Sequence, residues 1–313
     1  MKKITIVCLA LFLLVSWKQD AGIVRQKEHL IAADKSKKKK KIVIIAGGCT
    51  HGPMVHEYRA GSTLLAAALE QSMPGKFETI IYDKGWPADA TAFDGVDAVV
   101  MYLDGGGGHP VLPHLEKMEQ LSKKGVGIAC LHFAVEIPGE KAGQYFLDWI
   151  GGYFETYWSV NPYWKAEFTV LPKHPVTNGV NPFSASDEWY YNMRFRENRE
   201  GITPVLTAVP PASTLERPDG PHSNNPYVRA NAGKAYDLAW VTENKNRGRG
   251  FGFTGGHSHR NWANDDFRKL VLNGIAWIAH VRIPKNGLES APLTMEDIQR
   301  NLDPKPCNMG PKQ

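Results

Sequence analysis

Short uninterrupted apolar runs constrain this chain more than any other feature. Lys41 to Gly47 (KIVIIAG), Phe77 to Tyr82, Val96 to Leu103 and Gly125 to Leu131 (GVGIACL) are rich in β-branched residues. A strand with one wet face alternates, whereas a continuous run of this kind belongs to a strand covered on both faces, the mark of a parallel sheet. Between the runs, Tyr58 to Ser72 carries Leu64, Leu65, Ala68 and Leu69 at helical spacing, and Val111 to Lys123 carries Leu112, Leu115, Met118 and Leu121. This alternation predicts an α/β protein with a doubly wound, mostly parallel sheet and helices on both faces, because right-handed crossovers leave few other arrangements. Sheets of that type bind ligands beyond the carboxyl ends of their strands.

The pattern breaks between about 151 and 245, a stretch rich in Trp, Tyr, Pro and Asn, which reads as an aromatic-rich insertion that pairs at the sheet edge and roofs the site. It resumes with a strand at Gly250 to Thr254 (GFGFT), whose glycines permit close approach. A helix follows, capped by Asn264 or Asp265, with Phe267, Leu270, Val271, Ile275 and Ile278 as its buried stripe.

At the amino end, Lys2 and Lys3 precede the apolar run Ile4 to Trp17, too short to span a bilayer and arranged like a secretory signal, assigned to residues 1–22. A lysine-rich linker (23–40), the folded body (41–283) and a polar, proline-rich tail (284–313) complete the expected organisation. The body is expected to be periplasmic or extracellular, touching a membrane only through the signal segment. The five lysines from Lys37 to Lys41 equal the whole formal net charge of +5, so no basic face is left to argue for nucleic acid. Of the four cysteines, Cys8 lies in the signal. Cys49 and Cys130 both end predicted strands, so they either pair or, as the commoner state, stay buried and reduced.

Four predicted strands are followed by loops that hold histidine: His51 and His56 after the first, Asp104 and His109 after the third, His132 after the fourth, His257 and His259 after the late strand. One such histidine is more often a hydrogen-bonded structural group than a catalyst. Four loops on one sheet edge, however, bring imidazoles distant in sequence together. Neutral imidazole can ligate a divalent metal such as zinc, move protons near neutral pH, or hydrogen-bond a sugar hydroxyl, and the spacing does not choose among these. Asp187-Glu188-Trp189-Tyr190 adds carboxylates beside aromatic faces that suit pyranose rings, as does Trp262. The run of four glycines before His109 lacks the Lys-Ser/Thr of a phosphate loop.

With these residues in view, the chain resembles the trehalose-utilisation, or ThuA-like, family of the class I glutamine-amidotransferase-like superfamily. The likeness is carried by His51-Gly52-Pro53 with His56-Glu57, Cys130-Leu-His132-Phe-Ala134, His174-Pro-Val-Thr-Asn-Gly179 with Asp187 to Tyr190, and Gly256-His257 through Trp262 to Phe267-Arg268. The resemblance implies a flavodoxin-like fold and a small-molecule carbohydrate substrate, trehalose-like or a 3-keto-glycoside. Where the amidotransferases present a nucleophilic cysteine, His132 stands here, which implies no glutamine hydrolysis. The expected active residues are His132, Glu188 and His257, as acid/base groups or as ligands of a divalent metal. His51, His56, Asp104, His109, Trp189, Tyr190 and Trp262 are expected to contact substrate. The competing expectation is a non-catalytic carbohydrate-binding protein on the same scaffold.

Overall fold

The computed structural model describes residues 38–245 and 248–307; the expected signal and most of the lysine-rich linker lie outside them. The strands are β1 (Lys40–Ala46), β2 (Phe77–Tyr82), β3 (Ala98–Tyr102), β4 (Gly127–Leu131), β5 (Gly152–Tyr153), β6 (Trp164–Phe168), β7 (Phe183–Asp187), β8 (Arg194–Phe195), β9 (Ile202–Ala208), β10 (Tyr236–Glu243) and β11 (Arg249–Phe253). The helices are α1 (Tyr58–Ser72), α2 (Leu115–Lys123), α3 (Glu140–Ile150), α4 (Pro226–Arg229), α5 (Asp265–Ile278) and α6 (Met295–Gln299). None of the described helices is long and apolar enough to cross a membrane.

Seven strands form the main sheet in the order β2-β1-β3-β4-β11-β10-β9. β2, β1, β3, β4 and β11 pair in parallel, while β10 runs antiparallel to β11 and to β9. The continuous apolar runs are explained by the two cores they feed. Along β1, Ile42, Ile44 and Ala46 join the core that contains Leu65 and Leu69 of α1 and Phe267, Leu270 and Ile275 of α5. Val43 and Ile45 join the other, with Met118 of α2 and Phe146 and Trp149 of α3. The fold is thus the predicted doubly wound α/β architecture.

The 151–245 stretch does pair at the sheet edge: β9 and β10 extend the main sheet, while β6 and β7 make a separate antiparallel hairpin. The late strand uses its glycines as its sequence predicted. A Cβ on Gly252 would lie 2.2 Å from the Trp240 indole, and one on Gly250 would lie 2.3 Å from the Trp149 carbonyl oxygen. Asn264 caps α5, its Oδ1 accepting from the backbone N–H groups of Asp266 and Phe267.

The cysteine expectation is met for Cys130 and corrected for Cys49. Cys49 is bonded to Cys307, 258 residues away, and Cys130 is free and buried. Cys130 lies within β4 facing one core, whereas Cys49 has already left β1 for the surface loop that the tail crosses. The tail from Pro284 packs onto the body: Leu288 and Ile298 are buried, and Asn273 Oδ1 accepts from Leu288 N.

Two outcomes follow. Gly252→Ala is expected to cost about 1–3 kcal/mol through collision with Trp240, read by urea denaturation. Cys307→Ser is expected to cost about 2–5 kcal/mol by the same measurement, because the bond closes a long loop; an unchanged midpoint would mean that the tail is not held through this bond.

Candidate active site

β1, β3, β4 and β11 are consecutive in the sheet, so their carboxyl ends open onto one cleft. His132 is the first residue after β4 and has a φ of 53°, a left-handed backbone that a non-glycine residue adopts only where its surroundings hold it there. Its Nδ1–H donates to the Thr254 carbonyl at 3.0 Å, which leaves Nε2 as an acceptor. His56 also has a positive φ, 49°. Its Nδ1 meets Asp104 Oδ1 at 3.2 Å, and Tyr58 Oη donates to the same carboxylate oxygen. The carboxylate thus orients the ring, and in the neutral tautomer that donates Nδ1–H to it Nε2 is the acceptor.

His257 is brought beside His56 by the backbone. His56 N donates to His257 O at 3.1 Å, His259 N donates to Met54 O at 2.9 Å, and Val55 bridges Ser258. Asp187, wholly buried at the end of β7, clamps the same loop by accepting from the N–H groups of Gly256 and Ser258 and from Asn261 Nδ2. Glu188 follows it into the cleft.

The result is one cluster. His56 Nε2 lies 2.8 Å from His257 Nδ1 and 3.2 Å from His132 Nε2. Glu188 Oε2 lies 3.4 Å from His257 Nδ1 and 3.6 Å from His132 Nε2. One ligand atom from each of the four residues falls within 4.8 Å of the others, a set that could hold a metal ion. Burial drives the His132 pKa well below the ordinary imidazole value, with His56 and His257 adding to the effect. The Tyr190 hydroxyl, 3.2 Å from His132 Nε2, has its pKa raised well above that of a free phenol by burial and by the carboxylates of Glu188 and Glu136.

Of the residues predicted from sequence, His132, His257 and Glu188 therefore meet, and Tyr190 joins them although it is buried. His56 moves from the expected substrate contacts to the cluster itself, and Asp104 positions it. His51 sits at the exposed rim and stacks on His56 with ring centroids 3.7 Å apart; partial loss of water around the stacked ring, followed by His56, lowers its pKa to about 4.

Three expected substrate contacts are corrected. His109 is buried with both nitrogens engaged, Nδ1 accepting from Val111 N and Nε2 donating to the Ala134 carbonyl. Trp189 is wholly buried against Phe168, Phe253 and Phe267, and Trp262 against Tyr102 and Phe267. Aromatic composition marks core and carbohydrate faces alike, so the sequence could not separate them. Tyr58, Asp187 and the Thr254 carbonyl were not foreseen in these roles. Only Asp187 had a signal, its place beside Glu188.

The sequence profile of the family described as ThuA, trehalose utilisation, matches residues 50–278. The chain belongs to the ThuA family. A ThuA-like protein from Bacteroides uniformis ATCC 8492 superposes with a TM-score of 0.52 at 15% identity, covering 76% of this chain and 91% of that one. Another, from Parabacteroides merdae ATCC 43184, does so with a TM-score of 0.52 at 17% identity, covering 84% and 100%. At those identities the likeness speaks to the fold. No protein of curated function matches the chain. Cys130 is buried in β4 with its thiol pKa pushed up, the reverse of nucleophilic activation.

The buried imidazoles make folding pH-dependent. Buried His109 titrates near 4, below the free value of 6.5, because burial disfavours its charged form. On acidification the unfolded chain therefore takes up protons first, and stability present above pH 6.5 is lost as pH falls toward 4. Chelator-treated protein is expected to lose denaturation midpoint across that window, and His109→Gln is expected to flatten the loss.

Proposed function

We propose that this ThuA-family chain is an exported carbohydrate-processing enzyme in which His56, His132, His257 and Glu188 hold a divalent cation such as zinc, and that it hydrolyses or isomerises a trehalose-like or 3-keto-glycoside substrate. The reading is carried by one observation: His56 Nε2 and His132 Nε2, both left as acceptors by their outer bonds, face each other at 3.2 Å. Together with His257 Nδ1 and Glu188 Oε2 these nitrogens crowd one point, where a cation would be coordinated. Three imidazole nitrogens and one carboxylate form a donor set suited to zinc, and the Asp104 and Thr254 bonds are the outer support that metal-bound histidines use.

A cation held there would supply Lewis acidity, polarising a carbonyl or hydroxyl oxygen of the sugar. Glu188, through the carboxylate oxygen that would not be bound to the cation, is placed to accept a proton from water or from a carbon beside a keto group, and Tyr190, kept protonated, to donate a hydrogen bond. Exposed Tyr163, its hydroxyl 3.4 Å from Ser258 Oγ and its ring 6.4 Å from that of His257, offers an aromatic face at the rim. The Cys49–Cys307 bond supports export to an oxidising compartment. Glutamine hydrolysis forms no part of this reading. Burial of Trp189 and Trp262 weakens the binding-only alternative, which relied on exposed aromatic faces.

Elemental analysis of protein purified without chelator is expected to find about one metal ion per chain, as a structural or catalytic zinc site would give. His257→Ala should lose the ion and abolish turnover of trehalose or its 3-keto derivative, with the denaturation midpoint of the metal-free protein little changed. Turnover that survives metal removal would overturn the metal role.

A further inference from the structure

A second ionisable pair is left unused by that chemistry. Glu136, in the loop after His132, is buried, and its Oε1 accepts from His222 Nε2 at 2.8 Å and from Thr156 Oγ1 at 3.4 Å. The four-glycine run packs against it. Gly106 N donates to the Glu136 carbonyl at 2.9 Å, and a Cβ on Gly105 would lie 2.6 Å from that oxygen. His222 lies flat on Phe154, with ring centroids 5.4 Å apart at 21°, and Phe154 meets Tyr190 edge-on at 5.2 Å. Tyr190 in turn touches His132, so two rings connect the pair to the four-residue cluster.

With Nε2–H given to Glu136, His222 has Nδ1 free of any described protein partner, on a side chain about one-third exposed (34%). The charged groups that bear on it are Glu136 and Glu188, which favour its protonated form, and Arg217, which opposes it. The hydrogen bond to Glu136 is the largest effect, and the pKa is raised despite burial. A buried carboxylate behind an imidazole, with the outer nitrogen open, is the arrangement that orients a proton donor.

Resting on the function proposed above and taking its hydrolytic branch, we infer that His222, held by Glu136, is the general acid for a glycoside whose reacting sugar sits at the His56, His132, His257 and Glu188 cluster. The bond from the anomeric carbon to the leaving oxygen breaks with its electron pair on oxygen, which takes the proton from His222 Nδ1. The oxygen of one water bonds to the anomeric carbon and its proton passes to Glu188. Two alcohols result, and proton exchange with solvent restores both residues. Glu136 is a positioning residue that keeps His222 charged.

The test compares metal-loaded wild type, His222→Gln and Glu136→Gln on trehalose, its 3-keto derivative and p-nitrophenyl glucoside, whose leaving group departs without a proton. His222→Gln should retain its metal, lose about 10²–10⁴-fold in turnover of the natural-type disaccharides and stay near wild type on the aryl glucoside. Glu136→Gln should shift the alkaline limb of the pH profile to lower pH, because its carboxylate is what sustains the His222 proton. An active wild type with His222→Gln unimpaired, or impaired equally on all substrates, overturns this inference and leaves the metal reading standing. A metal-loaded wild type inactive on every glycoside overturns both readings. If His222→Gln does not fold, an unshifted alkaline limb in Glu136→Gln overturns the inference alone.

Discussion

The site depends on the parallel pairing of β1, β3, β4 and β11. Parallel strands all end on the same side, and these four are neighbours, so the residues immediately beyond them have to share one cleft. Asp104 and His132 are the first polar side chains after β3 and β4, and His56 and His257 lie further along the loops that leave β1 and β11. Had β11 run antiparallel, as β10 does, His257 would lie at the opposite edge and the cluster would lose a member.

Bringing imidazoles together is unfavourable unless their protons are accounted for, and the fold does this from outside the cluster. Asp104 and the Thr254 carbonyl each take the outer N–H of one ring, so the inner nitrogens are acceptors before anything binds. Burial then keeps His132 neutral. The left-handed backbone at His56 and His132 costs about 1–2 kcal/mol per residue, and the surrounding core and backbone bonds supply that cost. Asp187 spends a buried carboxylate on fixing Gly256 and Ser258 rather than on chemistry, which leaves Glu188 as the carboxylate in the cleft.

The carboxyl-terminal segment acts on the same loop from the other side. Cys307 is tied to Cys49, Lys305 Nζ donates to the His51 carbonyl at 2.9 Å, and buried Glu57 accepts from Asp303 N and Met54 N. The residues flanking His51 and His56 are thus anchored to a part of the chain some 250 residues away (the sequence separation of the disulfide is 258). The loop is therefore held by long-range bonds to two partners, the tail and the loop of His257.

Read alone, the sequence determined the architecture and the set of loops that matter. Apolar runs without alternation require burial on both faces, and Ile42 to Ala46 meet that requirement by feeding two cores. Asn264 as a helix cap and the close approach at Gly250 and Gly252 were legible for the same reason, since cap and glycine chemistry act over a few residues. Only the tertiary structure decided which histidines meet. His109 and His132 both follow strands of the sheet, yet one turns into the core to bond Ala134 and the other turns to its neighbours. It likewise sent Trp189 and Trp262 inward, paired Cys49 with Cys307, and set His222 against Glu136. Periodicity reports which face of an element is buried, whereas the direction of a side chain in a loop is set by contacts with residues far away in the chain, and those exist only once the strands are laid side by side.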